Sequence, residues 1–143
     1  MIARRVRPRR STKAQAADPY TLIVALDKEQ QAHGSVYIDD GTSFDFLSGS
    51  FVEASISMAD GVLKYQPTHA GFSSPAVFER VVVYGHATAQ KDGAAQFAFT
   101  QQESTGEVSR GSEGAGMAGR DVLVLRKPAA PVAAAWELEL AAK

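Results

Sequence analysis

The sequence predicts an all-β fold, an antiparallel β-sandwich of about eight strands. Three observations predict it. Apolar residues recur with a period of two in nearly every segment. Turn signals separate those segments at short spacing. Helical spacing is scarce, and Pro128 and Pro131 spoil its one candidate, the Ala-rich run at 129–135. Strands without intervening helices imply a sandwich or barrel.

Residues 1–17 are basic, then polar and Ala-rich, with Val6 the one sizeable apolar residue between Arg4 and Arg10. They read as a solvated linker or as an edge strand left over from a preceding domain. A nucleic-acid, membrane or targeting arm is the competing reading. It is disfavoured because no aromatic is interleaved with the arginines, as single-strand binders require. Asp18-Pro19 opens the run 20–26, β-branched and apolar, which suits a strand covered on both faces. Residues 27–33 are turn-like.

The segment 34–46 reads as a hairpin. Val36 and Ile38 alternate with Ser35, Tyr37 and Asp39 on the outgoing arm. Asp39-Asp40-Gly41 forms the turn, because Gly tolerates positive φ and Asp can bond its own backbone. Phe44 and Phe46, two apart, put both rings on one face of the returning arm.

Phe51 and then Ala54, Ile56 and Met58 mark the next strand. The parity slips between Phe51 and Ala54, which suggests a bulge or a start after Phe51. Asp60-Gly61, a strong hairpin signal, joins it to the strand 62–65. Residues 66–75, with Pro67, Gly71 and Pro75, read as a loop. Residues 77–84 are the most β-rich run and end at Gly85. Lys91-Asp92-Gly93 is a turn, and 96–100 alternates Phe97 with Phe99. The stretch 103–119 holds five glycines and reads as a long mobile Gly-rich loop. Residues 121–126 form a short strand broken by Pro128 to Pro131. Trp136, Leu138 and Leu140 alternate along the last strand.

At 143 residues and 45% hydrophobic, the chain can bury one core of ordinary size. No apolar run approaches the roughly eighteen residues of a membrane-spanning helix. Residues 1–13 carry six positive charges (Arg4, Arg5, Arg7, Arg9, Arg10, Lys13) and no acid, so a basic arm precedes a body of net charge −7. Absence of Cys removes disulfides, thiolate catalysis and Cys-based zinc sites. Absence of Asn removes N-glycosylation sequons. No apolar stretch of the secretory-signal kind follows the first charges.

Candidate chemistry is thin. Asp39, Asp40 and Asp45 could offer hard oxygen donors to Ca²⁺. The spacing is not that of an EF-hand, and an Asp-Gly turn held by its own side chains accounts for them. His33, His69 and His86 are scattered and read as solvated loop residues. Glu79 and Arg80 point to opposite faces of a strand and read as surface groups. The serines lack a nucleophile elbow, and 111–119 lacks the Lys-Ser/Thr ending of a phosphate loop. Trp136 reads as core. Glycoside hydrolysis would need a carboxylate pair, and the acids here sit on turns and strand surfaces. No catalytic, cofactor-binding or metal-ligating residue is assigned. The assigned positions are structural: the turn Asp39, Asp40 and Gly41, and the aromatics Phe44 and Phe46.

Four segments in a fixed order carry a resemblance: Asp18-Pro-Tyr-Thr-Leu-Ile-Val-Ala-Leu26, Gly34-Ser-Val-Tyr-Ile-Asp-Asp-Gly-Thr-Ser-Phe-Asp-Phe46, Phe78-Glu-Arg-Val-Val-Val-Tyr-Gly85, and Val122-Leu-Val-Leu-Arg-Lys-Pro128 followed by Trp136. Together they resemble the C-terminal end of glycoside hydrolase family 31 α-glucosidases, above all the glucosidase II α type, which trims glucose from N-glycans in the endoplasmic reticulum. Arg4-Arg-Val-Arg-Pro-Arg-Arg-Ser11 is similar to the basic stretch that leads into this region. The segment 103–119 departs from the family pattern.

The resemblance implies a distal β-sandwich at 18–143, after a lead-in at 1–17 that is a basic linker or a remnant of the preceding domain. It implies partners within the parent enzyme, a catalytic barrel and a proximal β-sandwich, and a glucosidase II β-type subunit through the full-length enzyme. It implies location in the endoplasmic reticulum lumen, no nucleic acid, no membrane and no cofactor. The family's nucleophile motif, of the Trp-x-Asp-Met-Asn-Glu type, is absent, so the chain is expected to be inactive alone, as a detached C-terminal module. The alternatives are a free carbohydrate-binding module, which needs an exposed aromatic platform, and, less favoured, a basic-armed nucleic-acid binder. A cut module is further expected to expose apolar strand faces at Val81, Val83 or the run 20–26, and to leave the arm 1–13 poorly ordered or only loosely strand-like.

Overall fold

Ten strands are present among the described residues of the computed structural model, which are 1–86, 96–99, 107–110 and 122–141. They are β1 (Ile2–Arg4), β2 (Tyr20–Ala25), β3 (Ala32–Ile38), β4 (Val52–Ala59), β5 (Val62–Ala70), β6 (Val77–Tyr84), β7 (Gln96–Phe99), β8 (Glu107–Arg110), β9 (Val122–Pro131) and β10 (Trp136–Ala141). One short helix, α1 (Thr12–Gln15), lies between β1 and β2. The two five-stranded sheets run β1-β2-β6-β9-β8 and β3-β4-β5-β10-β7. They form the expected sandwich. One pairing departs from it: β2 runs parallel to β6. The three strands between them belong to the other sheet, so the chain crosses over and returns beside β2 in the same direction.

Period two sets which side chains face the core. In β4, Val52, Ala54, Ile56 and Met58 are buried while Glu53 and Ser55 are exposed. β4 starts just after Phe51, and its register against β5 shifts between Glu53 and Ala54. Asp60 and Gly61 turn the chain with φ of 52° and 75°. Both residues then occupy the left-handed region that such a two-residue hairpin requires.

The core closes around four rings drawn from both sheets. Tyr65 of β5 and Trp136 of β10 are register partners and stack at 5.2 Å with 2° between their planes. Phe78 of β6 meets both edge-on, at 5.4 Å and 5.7 Å. Tyr20 of β2 packs on Phe78 at 5.9 Å. The Tyr65 hydroxyl donates to the Val132 carbonyl (2.6 Å), and Trp136 Nε1 donates to the Pro131 carbonyl (3.1 Å).

Several expectations are corrected. Phe44 and Phe46 do not lie on a returning strand: the chain passes through a 3₁₀ turn, Asp45–Ser48, and the partner of β3 is β4. Residues 66–70 continue β5 rather than forming a loop. Pro67 is tolerated because β10 pairs only with 62–65, so no ladder bond is asked of Pro67 on that side. Pro128 does not end β9. Between Arg126 and Ala130 the register against β6 shifts by a bulge, with Ala129 at φ 51°, and pairing resumes to Pro131. Of the expected Gly-rich loop, 107–110 is β8, paired with β9. The remainder of that stretch and the turn at 91–93 lie outside the described residues.

The strand faces expected to be exposed are largely buried, with Ile23 and Leu26 half-buried and Ala25 exposed. Val81 and Val83 point into the core at 0% exposure, as do Leu22 and Val24, and Val82 on the other face is only 5% exposed. The arm is strand at Ile2–Arg4 and otherwise only a short helix at Thr12–Gln15. β1 pairs with β2, and Met1 and Ala3 pack against the core.

The ring cluster makes a stability prediction. Trp136→Ala should destabilise by about 3–5 kcal/mol, and Tyr65→Phe by about 1–3 kcal/mol, because it leaves the buried Val132 carbonyl unpaired. Burial also pushes the Tyr65 phenol up to about 12. An unfolded tyrosine ionises near 10, so this residue contributes no pH dependence below that value. Stability should fall as pH rises from about 10 towards 12, and Tyr65→Phe should flatten that part of the curve. Denaturant titrations across this range check both.

Candidate functional site

A cleft of about 610 Å³ opens where β3 ends. Three segments wall it: the arm with Arg5, Thr12 and Lys13; the tip of β3 with its turn, from Tyr37 to Thr42; and the segment carrying Phe72, Ser74 and Pro75. Tyr20 and Ile38 form its floor, since both are core residues.

The β3 side is stiffened by its own side chains. Asp39 Oδ1 accepts from the Gly41 amide (2.9 Å). Asp40 accepts from the Thr42 amide (3.1 Å), the Ser43 amide (3.1 Å) and the Thr42 hydroxyl (3.0 Å). These bonds, the Ser43 amide foremost, hold the Asp40 carboxyl down at about 2. It is therefore ionised at neutral pH and cannot serve as a proton donor. Gly41 sits at φ 67°. Ser43 Oγ accepts from the Asp45 amide (3.1 Å) and starts the 3₁₀ turn, which Gly49 ends at φ 89°. Phe44 and Leu47 in this segment are 77% and 76% exposed.

Tyr37 points outward from β3 and is 51% exposed. Its ring stacks on Phe51 (5.2 Å), and Phe51 stacks on His69 (4.1 Å). His69 Nε2 donates to the Gly49 carbonyl (2.7 Å). Gly71 is required beside this stack, since a Cβ there would collide with the Gly49 carbonyl. The Tyr37 phenol is raised, first by desolvation and then by the negative charge of Asp39.

The arm side is held by cations. The Arg5 guanidinium lies 4.4 Å over the Tyr20 ring and donates to the carbonyls of Asp18 (3.2 Å) and Ala16 (3.0 Å). Arg9 forks onto both carboxylate oxygens of Asp18 at 2.8 Å. That bond holds the Asp18 carboxyl below its ordinary range, against desolvation. Arg7 pairs with Glu79 at 2.8 Å.

The assigned turn Asp39, Asp40 and Gly41 thus lies on the cleft rim, with Phe44 and Phe46 beyond it, their centroids 6.2 Å apart. Of the histidines, His33 is exposed, His69 is half-buried in the stack, and His86 is buried, which lowers its pKa. The solvated reading therefore fails for His86 and in part for His69. Arg5, Tyr20, Tyr37 and Phe72 escaped the sequence reading. Only the pairing of the arm with β2 brings Arg5 to Tyr20, and nothing in local spacing signals it. Among the described residues no group of three or more His, Cys, Asp or Glu side chains could hold a metal, and no helix is long and apolar enough to cross a membrane.

No family model matches the chain. It is 35% identical over 144 residues to a probable glucan 1,3-alpha-glucosidase of Arabidopsis thaliana, covering 98% of this chain and 16% of that protein. It is 30% identical over 148 residues to the neutral alpha-glucosidase AB of Sus scrofa, covering 98% of this chain and 14% of that protein. A crystal structure of the glucosidase II alpha subunit in its DNJ-bound form superposes with a TM-score of 0.80 at 23% identity, over 97% of this chain and 16% of that one. An ER glucosidase II complex of the catalytic subunit with the binding domain of the regulatory subunit superposes at 0.79, also at 23% identity. The chain therefore spans about one sixth of the length of the relatives it matches.

Two predictions concern the cleft walls. Gly41→Val should destabilise by about 1–2 kcal/mol, a cost of the left-handed backbone alone, since nothing lies within 4 Å of a Cβ there. An unchanged thermal midpoint would contradict it. Asp18→Asn should speed tryptic cleavage of the arm at neutral pH. In the parent protein the Asp18 contribution is present above the ordinary carboxylate pKa and is lost as pH falls through its lowered value. Hydrogen-exchange protection at β1, taken relative to the intrinsic rate at each pH, should therefore fall on acidification in the parent and be low throughout in the variant.

Proposed function

This chain is a homologue of one segment of the α-glucosidases of glycoside hydrolase family 31, and we propose that it is their distal C-terminal β-sandwich, a non-catalytic structural and interface module. The observation that carries this reading is the coverage: nearly all of this chain aligns to only 16% of a far longer enzyme. On this reading residues 18–143 are the module and 1–17 the lead-in from the preceding domain. The parent enzyme would be of the glucosidase II α type, trimming glucose from N-glycans in the endoplasmic reticulum lumen. The module's partners are that enzyme's catalytic barrel and proximal sandwich and, through the full-length enzyme, a β-type subunit. The exposed Phe44 and Leu47 support an interface role, because a single short segment then presents two large apolar side chains to a neighbouring surface.

Two measurements test it. The isolated chain should not hydrolyse p-nitrophenyl α-glucoside, and turnover surviving removal of host glucosidases would overturn the reading. The chain alone should self-associate and bind a hydrophobic dye. The double substitution Phe44→Ser and Leu47→Ser should relieve both with the thermal midpoint little changed, since neither side chain is in the core. A parent chain that is monomeric and dye-free at high concentration would count against the interface.

A further inference from the structure

We propose that the cleft between the arm and the tip of β3 binds an uncharged oligosaccharide. This inference stands on the cleft itself and not on the parent-enzyme reading. Its volume, about 610 Å³, lies within the range of small-ligand sites. The lining is mixed: aromatic rings, hydroxyls and charges of both signs. Arg5 and Lys13 are matched by Asp39 and Asp40, so the site carries no net charge to recruit a phosphate or an ammonium ligand. A ligand that suits such a lining is neutral, rich in hydroxyls, and has an apolar face.

The apolar face has a platform. One side of the Tyr37 ring is backed by Phe51 and, through it, His69, and the ring remains 51% exposed. The stack and the hydrogen bond from His69 to Gly49 fix the ring before any ligand arrives, which lowers the entropy lost on binding. The polar groups are equally fixed. Asp39 keeps acceptor lone pairs beside the ring after bonding the Gly41 amide. Ser74 Oγ accepts from the Ala76 amide, which leaves its hydroxyl hydrogen to donate. An extended peptide added to β3 is disfavoured, because Met1 covers that edge at Gly34 and its amino group donates to the His33 carbonyl (3.3 Å).

The test is titration of the 143-residue chain with maltotriose, cellotriose and mannotriose, followed by amide NMR, with glucose 6-phosphate as the charged control. At least one neutral trisaccharide should shift the amides of Tyr37, Gly41 and Thr42 with a dissociation constant in the millimolar range. Tyr37→Ala should weaken it by about tenfold or more, a loss of about 1.4 kcal/mol, while Tyr37→Phe, which keeps the ring, should weaken it far less. Absence of shifts with all three, shifts confined to residues away from the cleft, or tighter binding of the phosphate would each overturn the proposal. Catalytic inactivity of the chain leaves this outcome untouched, so the two readings fail separately.

Discussion

The stacked pair of Tyr65 and Trp136 is the constraint on which the rest of the sandwich depends. The two rings face each other across neighbouring strands, and Phe78 and Tyr20 reach them from the opposite sheet. Both polar tips are buried with the rings and must find partners inside. Both find them on one short stretch, the Pro131 and Val132 carbonyls. The chain between β9 and β10 is therefore held against the core at the point where it changes sheets. A proline serves there, because the contact asks only for its carbonyl.

Much of this was legible. Period two located β3, β4 and β10, because one face of each is drier than the other, while unbroken β-branched apolar runs located β2 and β6, which are covered on both faces along much of their length. Asp60-Gly61 marked its turn for an equally local reason. Two prolines misled the reading. Pro67 and Pro128 suggest strand ends, but each sits where the ladder needs no amide from it, beside a register shift. Which neighbour a strand has at a given residue is a tertiary fact that local sequence does not carry. The same applies to the parallel pairing of β2 with β6.

Phe44 and Phe46 failed for a different reason. Their spacing fits a strand, yet Asp40 collects the amides of Thr42 and Ser43, and Ser43 in turn accepts from Asp45. Short polar side chains that bond the nearby backbone compete directly with sheet pairing. Here they prevail, because β4 takes one edge of β3 and Met1 lies against the other at Gly34. The segment is consequently pushed outward, and its apolar side chains are left exposed. The cleft rim was thus half legible: its turn could be read from Asp-Asp-Gly, whereas Tyr37 looked like the ordinary outward residue of a strand.

The uneven charge of the chain finds its explanation in the same region. A basic arm ahead of an acidic body suggests a free cationic tail, but three of its arginines turn back onto the domain. Exposed ion pairs contribute only about 0–1 kcal/mol each, and Arg7 with Glu79 is of that kind. What fixes the arm is the combination of β1 pairing, the burial of Met1 and Ala3, and the fork from Arg9 to Asp18, whose carboxylate is only 7% exposed. The arm is still three residues of strand and one helical turn, far fewer interactions than the floor beneath it has. Local stability follows that density. The cleft therefore has one wall stiffened by the Asp39 to Ser43 turn and the Tyr37 stack, and one wall held by fewer bonds. Arg5, bonded to the Asp18 and Ala16 carbonyls, covers the Tyr20 ring at the floor.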